Sequence, residues 1–282
     1  MTILVTGATG NLGGLIVKQL LTRVPAADLA VSVRAPEKAA HLAAQGVDVR
    51  QGDFGQPESL RFDGVDTLVL VSADGPDDVR VAAQKSAVDA ADKAGVGRIV
   101  YTSVSFADVS PLGLARVHAA TEDHIRASGL PFTFLRNGMY HENYVNGLPG
   151  ALERGSLVTT TGAGRIASVS REDLAEAAAV VATTQGHDGA VYELTGPRAW
   201  GFDELAALAA EVTGKPLTHV SVEAAQLHGN LVAAGLPEFV AELLTDIQSN
   251  IRTGALSEVR PDLAKLIGRA PTPIETAVRA AL

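Results

Sequence analysis

The sequence predicts a doubly wound, parallel α/β sheet followed by a smaller, mostly helical C-terminal lobe. Three observations lead to this fold class. Short apolar runs alternate with segments of helical periodicity through residue 136. These runs lack polar alternation, which is typical of parallel strands buried on both faces. The pattern then changes to a stretch rich in Gly, Asn and Thr over 137–165 and to largely helical sequence over 201–282.

The alternating elements can be placed in order along the first half of the chain. A strand over 2–6 leads through a glycine-rich turn into a helix over 12–23, and Pro25 follows that helix as a stop signal. Each later connection is long enough for a right-handed crossover. The remaining strands are predicted at 29–33, 47–50, 67–71, 98–102 and 131–136, with helices at 36–45, 76–94 and 114–128.

The second half is interpreted as a lobe on the substrate side of a nucleotide-type sheet. Residues 1–136 form the predicted core, and 137–282 lie beside the carboxyl edge, where ligands bind in open α/β folds. Some elements are expected to return to the core, since 171–184 has helical periodicity and 191–194 can rejoin the sheet as a strand.

Composition narrows the class of protein. The 282 residues are 46% hydrophobic but only 4% aromatic, which predicts a large aliphatic core. The net charge is −9 with no basic stripe, which argues against a nucleic-acid partner. The absence of cysteine excludes disulfides and thiolate metal sites. No signal peptide or long apolar span is evident, so we expect a cytoplasmic protein without a membrane partner, either monomer or homodimer.

The turn after the first strand has the spacing Gly-x-x-Gly-x-x-Gly. This spacing is weak alone, but here it ends a strand and opens a helix, as a dinucleotide-binding loop requires. Backbone N–H groups at the positive end of that helix can hold a pyrophosphate. A plain strand-to-helix turn needs only one glycine. The sequence therefore predicts a Rossmann domain whose cofactor contacts include Gly7, Thr9, Gly10, Asn11 and Leu12.

The second predicted strand ends in arginine rather than in an acidic residue. NAD-specific folds usually carry Asp or Glu here to bind the ribose hydroxyls, whereas this chain has Arg34. A guanidinium pairs bidentately with a 2′-phosphate, and Lys38 adds charge one helical turn later. The alternative is two solvated basic side chains. The absence of a carboxylate over 31–34 favours NADP(H).

Two further strand ends supply candidate cofactor contacts. Asp53 and Phe54 follow the third strand and are expected beside the adenine, although an ordinary aspartate turn explains them nearly as well. Ser72 and Ala73 follow the fourth strand, over the expected path of the cofactor.

Candidate catalytic residues are few, and they are Ser103, His118 and Tyr140. Ser103 stands after the fifth strand, where short-chain dehydrogenases carry a catalytic serine, but no tyrosine in the chain has the lysine four residues later that completes their catalytic pair. His118 and Glu122 share a helix face at i, i+4 spacing. Without a third ligand we expect no metal and favour a surface ion pair, and we keep His118 as an acid/base candidate.

Polar and aromatic side chains are dense after the sixth strand, over 137–144. A turn followed by a helix is the alternative explanation, but two tyrosines, a histidine and an asparagine favour a loop over the nicotinamide, with Tyr140 or Tyr144 facing substrate. Arg171 stands at a helix start, where it opposes the helix dipole, so we expect it to have another partner such as a cofactor phosphate.

Several segments together resemble the NmrA-like atypical short-chain dehydrogenases, and among them the members that reduce quinones and triphenylmethane dyes. The glycine loop is shared with many families, whereas the runs Leu-Arg-Asn-Gly and Ser-Pro-Leu-Gly-Leu-Ala are more specific. The similarity extends along essentially the whole chain. The segments that carry it are 5–14, 33–34, 101–103, 110–115, 135–138 and 266–268.

The resemblance implies an NADPH site and reduction of quinones or similar flat conjugated electrophiles, without the Tyr/Lys pair. Met139 departs from quinone-reducing members, which often have an aromatic residue there, and this leaves the acceptor open. The remaining expected cofactor contacts are Asn137, Gly138, Met139, Tyr140, His141, Glu142 and Arg171. The expected substrate contacts are Phe106, Tyr140, Asn143 and Tyr144.

The favoured hypothesis is hydride transfer from NADPH to a small conjugated acceptor that delocalises the arriving charge, with water completing protonation. One alternative is a redox-sensing regulator that binds NADP(H) without turnover. The polar and aromatic loop at 137–144 disfavours it, because this loop builds a pocket rather than a flat surface. A related reductase of dyes, enones or imines is the other alternative.

Overall fold

The structure, a computed structural model, describes residues 1–282 and contains a seven-stranded sheet in which all neighbouring strands are parallel. The chain as a whole has eleven strands, of which seven form this sheet. They are β1 (Ile3–Thr6), β2 (Leu29–Val33), β3 (Asp48–Gln51), β4 (Thr67–Leu70), β5 (Arg98–Val104), β6 (Phe132–Asn137), β7 (Ser156–Thr159), β8 (Arg165–Ile166), β9 (Val191–Leu194), β10 (Trp200–Gly201) and β11 (Thr218–Ser221). The sheet order is β3-β2-β1-β4-β5-β6-β9. This arrangement confirms the predicted fold class.

Twelve α-helices surround the sheet and build the C-terminal part. They are α1 (Asn11–Leu20), α2 (Ala40–Ala43), α3 (Asp77–Lys93), α4 (Gly113–Ser128), α5 (Glu142–Val145), α6 (Leu148–Arg154), α7 (Arg171–Thr183), α8 (Phe202–Thr213), α9 (Ala224–Ala233), α10 (Glu238–Arg252), α11 (Asp262–Ile267) and α12 (Ile274–Ala281). None of these helices has the length and apolar character needed to span a membrane.

Alternation along the strands divides the core into two layers. Ile3 and Val5 of β1 pack in one cluster with α1, α7 and α11, whereas Leu4 between them packs in another with α3 and α4. Because every central strand is covered on both faces, the apolar runs needed no polar alternation. A third cluster, around Trp200, joins α8, α10 and α12 in the C-terminal part.

The strand order reverses between β1 and β4, since β1 leads outward to β2 and β3 while β4 leads to β5, β6 and β9. At such a switch point the connections leave in opposite directions and open a crevice beyond the carboxyl ends of the strands. The glycine loop follows β1 and therefore lies at this crevice.

The elements differ from their predicted bounds mainly at strand ends. β5 and β6 extend to Val104 and Asn137, and the Ser105 N–H donates to the Asn137 carbonyl at 2.9 Å just beyond them. The helix predicted at 36–45 is a 3₁₀ turn over Pro36–Ala39 followed by α2. The stretch 137–165 holds α5, α6 and β7, so a turn followed by the helix α5, the alternative to a loop, forms after β6.

Candidate cofactor and acceptor site

Three glycines shape the turn between β1 and α1. Gly7 has φ +62°, a conformation that L side chains rarely adopt. The Gly10 N–H donates to the Gly7 carbonyl at 2.9 Å, which closes the turn. A Cβ at Gly13 would lie 2.2 Å from the same carbonyl oxygen, so only glycine lets the first turn of α1 approach the loop. The first glycine of the motif is thus required by its backbone conformation, and the last one by its close approach to the carbonyl oxygen of the first.

The N-terminus of α1 is left without a cap. Gly10 stands at the N-cap, no side chain accepts a hydrogen bond there, and the first turn holds no acidic residue. Thr9, Gly10 and Asn11 are exposed. Free N–H groups and the positive end of the helix dipole therefore face the crevice, an arrangement that fits a pyrophosphate.

Two basic side chains flank the end of β2. Arg34 and Lys38 are both exposed, and neither makes an ion pair or a side-chain hydrogen bond anywhere in the chain. An arginine with no carboxylate partner keeps all its donors for a ligand, and its planar fork matches phosphate geometry. The residues present at this strand end fit a 2′-phosphate.

The turn after β3 is held by its own aspartate. The Asp53 carboxylate accepts from the Gly55 N–H at 2.9 Å, and the Asp53 N–H donates to the Ser59 hydroxyl at 2.9 Å. Phe54 is half-buried and packs against the cluster that joins α3 to the sheet. Asp53 therefore forms the ordinary aspartate turn, and contact of either residue with adenine stays a prediction.

The end of β4 is fixed from both sides. The Ser72 N–H donates to the Thr102 hydroxyl at 3.0 Å, and the Ala73 carbonyl accepts from Nε of Arg80 at 2.7 Å. Ser72 and Ala73 remain half-buried at the crevice. These hydrogen bonds fix the segment in the space between the glycine loop and the end of β6.

The end of β6 carries an unpartnered polar atom. Asn137 is buried, and its side-chain Oδ1 has no hydrogen-bond partner. Buried acceptors are rarely left unpaired, so this oxygen points to a donor on a bound ligand. The Asn137 amide lies beside the Tyr140 hydroxyl, and burial raises the pKa of Tyr140 although nearby Arg171 opposes that rise.

Arg171 finds its partners within the chain. Its guanidinium lies 4.4 Å from the centre of the Tyr140 ring and donates to the Asn143 side-chain oxygen at 2.9 Å. The Arg171 N–H donates to the Glu142 carboxylate at 3.1 Å. The cap of α7 is the Ser170 hydroxyl, so Arg171 takes no part in capping the helix. Whether Arg171 also contacts a cofactor phosphate stays a prediction.

Other residues of 137–144 point away from the crevice. Both ring nitrogens of His141 are engaged, Nδ1 with the Ser168 hydroxyl at 2.7 Å and Nε2 with the Thr272 carbonyl at 2.9 Å. Neither ring nitrogen is left free for a cofactor, and contact of His141 with the cofactor stays a prediction. The Tyr144 ring packs edge-on against Trp200 at 5.5 Å, which leaves Tyr140 as the tyrosine beside Asn137. Met139 is buried in the C-terminal cluster, and Gly138 donates to the Leu194 carbonyl.

The structure corrects the predictions for Ser103 and Glu122. The Ser103 hydroxyl donates to Oε1 of Glu122 at 2.6 Å, and both side chains are buried. Nε and Nη2 of Arg136 hold the same carboxylate at 2.9 and 2.8 Å. Glu122 is thus part of a buried ionic network, not of a surface ion pair with His118. The Ser103 proton is committed to that carboxylate and is not directed at the crevice.

His118 lies in a second buried network. Nε2 is 3.4 Å from the Arg80 guanidinium, and Nδ1 is 2.9 Å from the Tyr101 hydroxyl. Because arginine only donates, Nε2 accepts and Nδ1 carries the proton. Burial, helped by the Arg80 charge, lowers the pKa of His118 to about 3. A neutral histidine enclosed in this way is a poor proton donor, and no group of side chains suited to a metal occurs.

Two residues of these networks were missed from the sequence. Arg80 lies on the buried face of α3, and Glu193 on β9 accepts from Arg136 at 3.1 Å. A charged residue in an otherwise apolar strand was the signal available for Glu193. Nothing in the helical pattern marked Arg80 as buried.

Comparison with known families agrees with this geometry. The family described as NAD(P)H-binding matches residues 7–185, which include the glycine loop, the β4 end and the Asn137–Arg171 region. The chain belongs to this family. The match identifies the class of ligand that binds at the uncapped start of α1 as a nicotinamide dinucleotide.

Similar proteins cover nearly the whole chain. Quinone oxidoreductase 2 of Escherichia coli strain K12 is 41% identical over 98% of this chain and 97% of its own length. A structure of Citrobacter sp. triphenylmethane reductase complexed with NADP(H) has 44% identity, a TM-score of 0.96 and full coverage of both chains. An NmrA-like family domain-containing oxidoreductase of Aspergillus flavus is 31% identical over 99% of this chain and 94% of its own. The predicted family resemblance is confirmed.

Proposed function

We propose that the protein is an NADPH-dependent reductase that transfers hydride to a quinone or a similar conjugated electrophile. One observation carries the choice of acceptor: two of the three candidate proton donors, Ser103 and His118, are engaged in buried networks. Ser103 donates to Glu122, and His118 is neutral within its buried network. An acceptor that delocalises negative charge does not require such a donor, whereas a simple ketone does.

The residues at the crevice have separate tasks in holding the cofactor. Backbone N–H groups at the start of α1 bind the pyrophosphate, and Arg34 with Lys38 binds the 2′-phosphate. Asn137 offers its unpartnered oxygen to a donor on the nicotinamide side, near Tyr140. When bound, NADPH supplies a hydride, which carries both electrons of the reduction.

The protein contributes mainly position, and water supplies the proton that completes reduction of the acceptor. The fixed β4 end and the buried β6 end would orient the nicotinamide towards the acceptor, and such orientation supplies several kcal/mol of a barrier. The raised pKa of Tyr140 keeps its hydroxyl protonated, so it acts as a hydrogen-bond donor to the acceptor rather than as an acid. The names of the E. coli and Citrobacter relatives support flat acceptors of this kind.

The test is steady-state oxidation of NADPH by the purified protein against quinones, an enone, an imine and a triphenylmethane dye. We expect rapid oxidation with quinones, the dye as a second substrate, and slower rates with NADH. Tight NADPH binding without oxidation by any acceptor would instead favour the redox-sensing alternative. A cytoplasmic location and a monomeric or homodimeric state stay predictions of the sequence.

A further inference from the structure

Phe106 has the most unusual backbone conformation in the chain. Its φ is +56°, and it is the only residue other than glycine with a positive φ. A bulky residue in this region is a genuine outlier, because its Cβ crowds the backbone. Such conformations persist only where the surroundings impose them, and they concentrate at functional sites. The sequence gives no local reason for one at this position.

Hydrogen bonds hold the backbone of Phe106 on both sides, and one of them leads into the ionic network of Arg136 and Glu122. The Phe106 N–H donates to Oε2 of Glu193 at 2.9 Å. Oε1 of Glu193 accepts from Arg136, whose other nitrogens hold the buried Glu122 carboxylate. On the other side of the residue, the Phe106 carbonyl accepts from the Val109 and Ser110 N–H groups at 3.0 and 2.7 Å. Every backbone polar group of Phe106 is therefore engaged.

The ring of Phe106 is not part of the core. It is half-buried and belongs to none of the three hydrophobic clusters, unlike nearly all other aromatic side chains of the chain. One neighbour is the Arg260 guanidinium, 5.7 Å from the ring centre. An aromatic ring that stands outside the hydrophobic clusters, on a backbone held by hydrogen bonds, is suited to contact a ligand.

Phe106 follows the carboxyl end of β5, next to the end of β6 that borders the crevice. The backbone N–H of Ser105, the preceding residue, donates to the carbonyl of Asn137, and the Oδ1 of Asn137 is one of the unpartnered buried atoms of the site. We infer that Phe106 is a specificity-determining residue whose ring stacks on planar acceptors, and that Glu193 is the positioning residue that holds it. This inference rests on the proposed reductase function and names the residue that selects fused-ring acceptors over smaller ones.

Four variants separate the ring from the backbone conformation. Phe106→Asn removes the ring but tolerates a positive φ, whereas Phe106→Tyr keeps the ring. Glu193→Ala removes the acceptor that holds the Phe106 N–H. Phe132→Asn is the matched control, a half-buried phenylalanine at the amino end of β6, remote from the crevice.

The first readout is the ratio of kcat/KM for menadione to that for p-benzoquinone, with NADPH saturating. We expect Phe106→Asn to lower this ratio about threefold through KM, since stacking on a fused ring gains more than stacking on a single ring. Phe106→Tyr and Phe132→Asn should leave it unchanged. Glu193→Ala should lower the ratio when it is the only substitution. It should not lower the ratio further when Phe106→Asn is already present.

The second readout needs no turnover. Calorimetric titration of menadione into the protein loaded with NADP⁺ should show about tenfold weaker binding for Phe106→Asn than for wild type, with the affinity for NADP⁺ unchanged. An equal ratio and equal menadione affinity in Phe106→Asn would overturn the inference while the reductase function stands. If wild type oxidises no NADPH with either quinone but binds menadione through Phe106, the proposed function fails and the stacking site remains.

Discussion

Removal of the Glu122 carboxylate should destabilise the protein more than removal of any exposed acid. Glu122 and Arg136 have side-chain exposures of 1% and 6%, and their two contacts measure 2.9 and 2.8 Å. Breaking a buried pair by deleting one partner costs about 3–5 kcal/mol. Arg136 keeps Glu193 at 3.1 Å in the Glu122→Ala variant, so we expect the lower end, about 3 kcal/mol.

The measurement is urea unfolding followed by circular dichroism, with thermal unfolding as a second probe. A loss of about 3 kcal/mol corresponds to a Tm lowered by roughly 6–12 °C for a chain of this size. Asp123→Ala is the control, because Asp123 is the next residue of α4 and its ion pair with Arg126 is exposed. That variant should change the free energy of unfolding by less than about 1 kcal/mol. Equal effects of the two substitutions would refute the buried network.

Three further results are expected. Arg34→Glu should lower the preference for NADPH over NADH by about 10- to 100-fold in kcat/KM, through loss of a charged contact to the 2′-phosphate, and an unchanged preference would remove Arg34 from the site. Gly13→Ala should cost about 1–3 kcal/mol of stability and abolish NADPH binding measured by fluorescence, because its Cβ meets a carbonyl oxygen at 2.2 Å, whereas Gly14→Ala should retain binding. The lowered pKa of His118 means that the unfolded chain binds an extra proton between pH 6.5 and about 3, so wild type should lose stability as pH falls through that window, by up to about 1.4 kcal/mol per pH unit from this group. His118→Gln should remove that contribution, and identical slopes of unfolding free energy against pH in both proteins would contradict the assignment.

The sheet was predictable because its signals are local. Apolar runs, glycine stops and the loop from Gly7 to Gly13 specify strands, helix ends and a turn without reference to distant residues. The order of the strands then follows from right-handed crossovers. The uncapped start of α1 is also a local feature of the sequence, since Gly10 at the N-cap has no side chain and the first turn has no acidic residue.

The site was less predictable because side-chain direction depends on tertiary packing. Spacing placed His118 and Glu122 on one face of α4, but the face became buried only because α3 and β5 cover it. His141 lies in a polar segment, yet its partners Ser168 and Thr272 come from distant parts of the chain. The N–H of Phe106 donates to Glu193, which is 87 positions away in sequence, and no pattern of nearby residues indicates the positive φ of Phe106.

The most direct test of hydride transfer is a single turnover without oxygen. The protein is loaded with one equivalent of NADPH, freed of excess cofactor and mixed with menadione, and both cofactor absorbance and quinol are followed. We expect each NADPH lost to yield one menadiol, at a rate that depends on menadione and is slowed by deuterium at the transferred position of NADPH. Bound NADPH that stays fully reduced in the presence of menadione would contradict the reductase function.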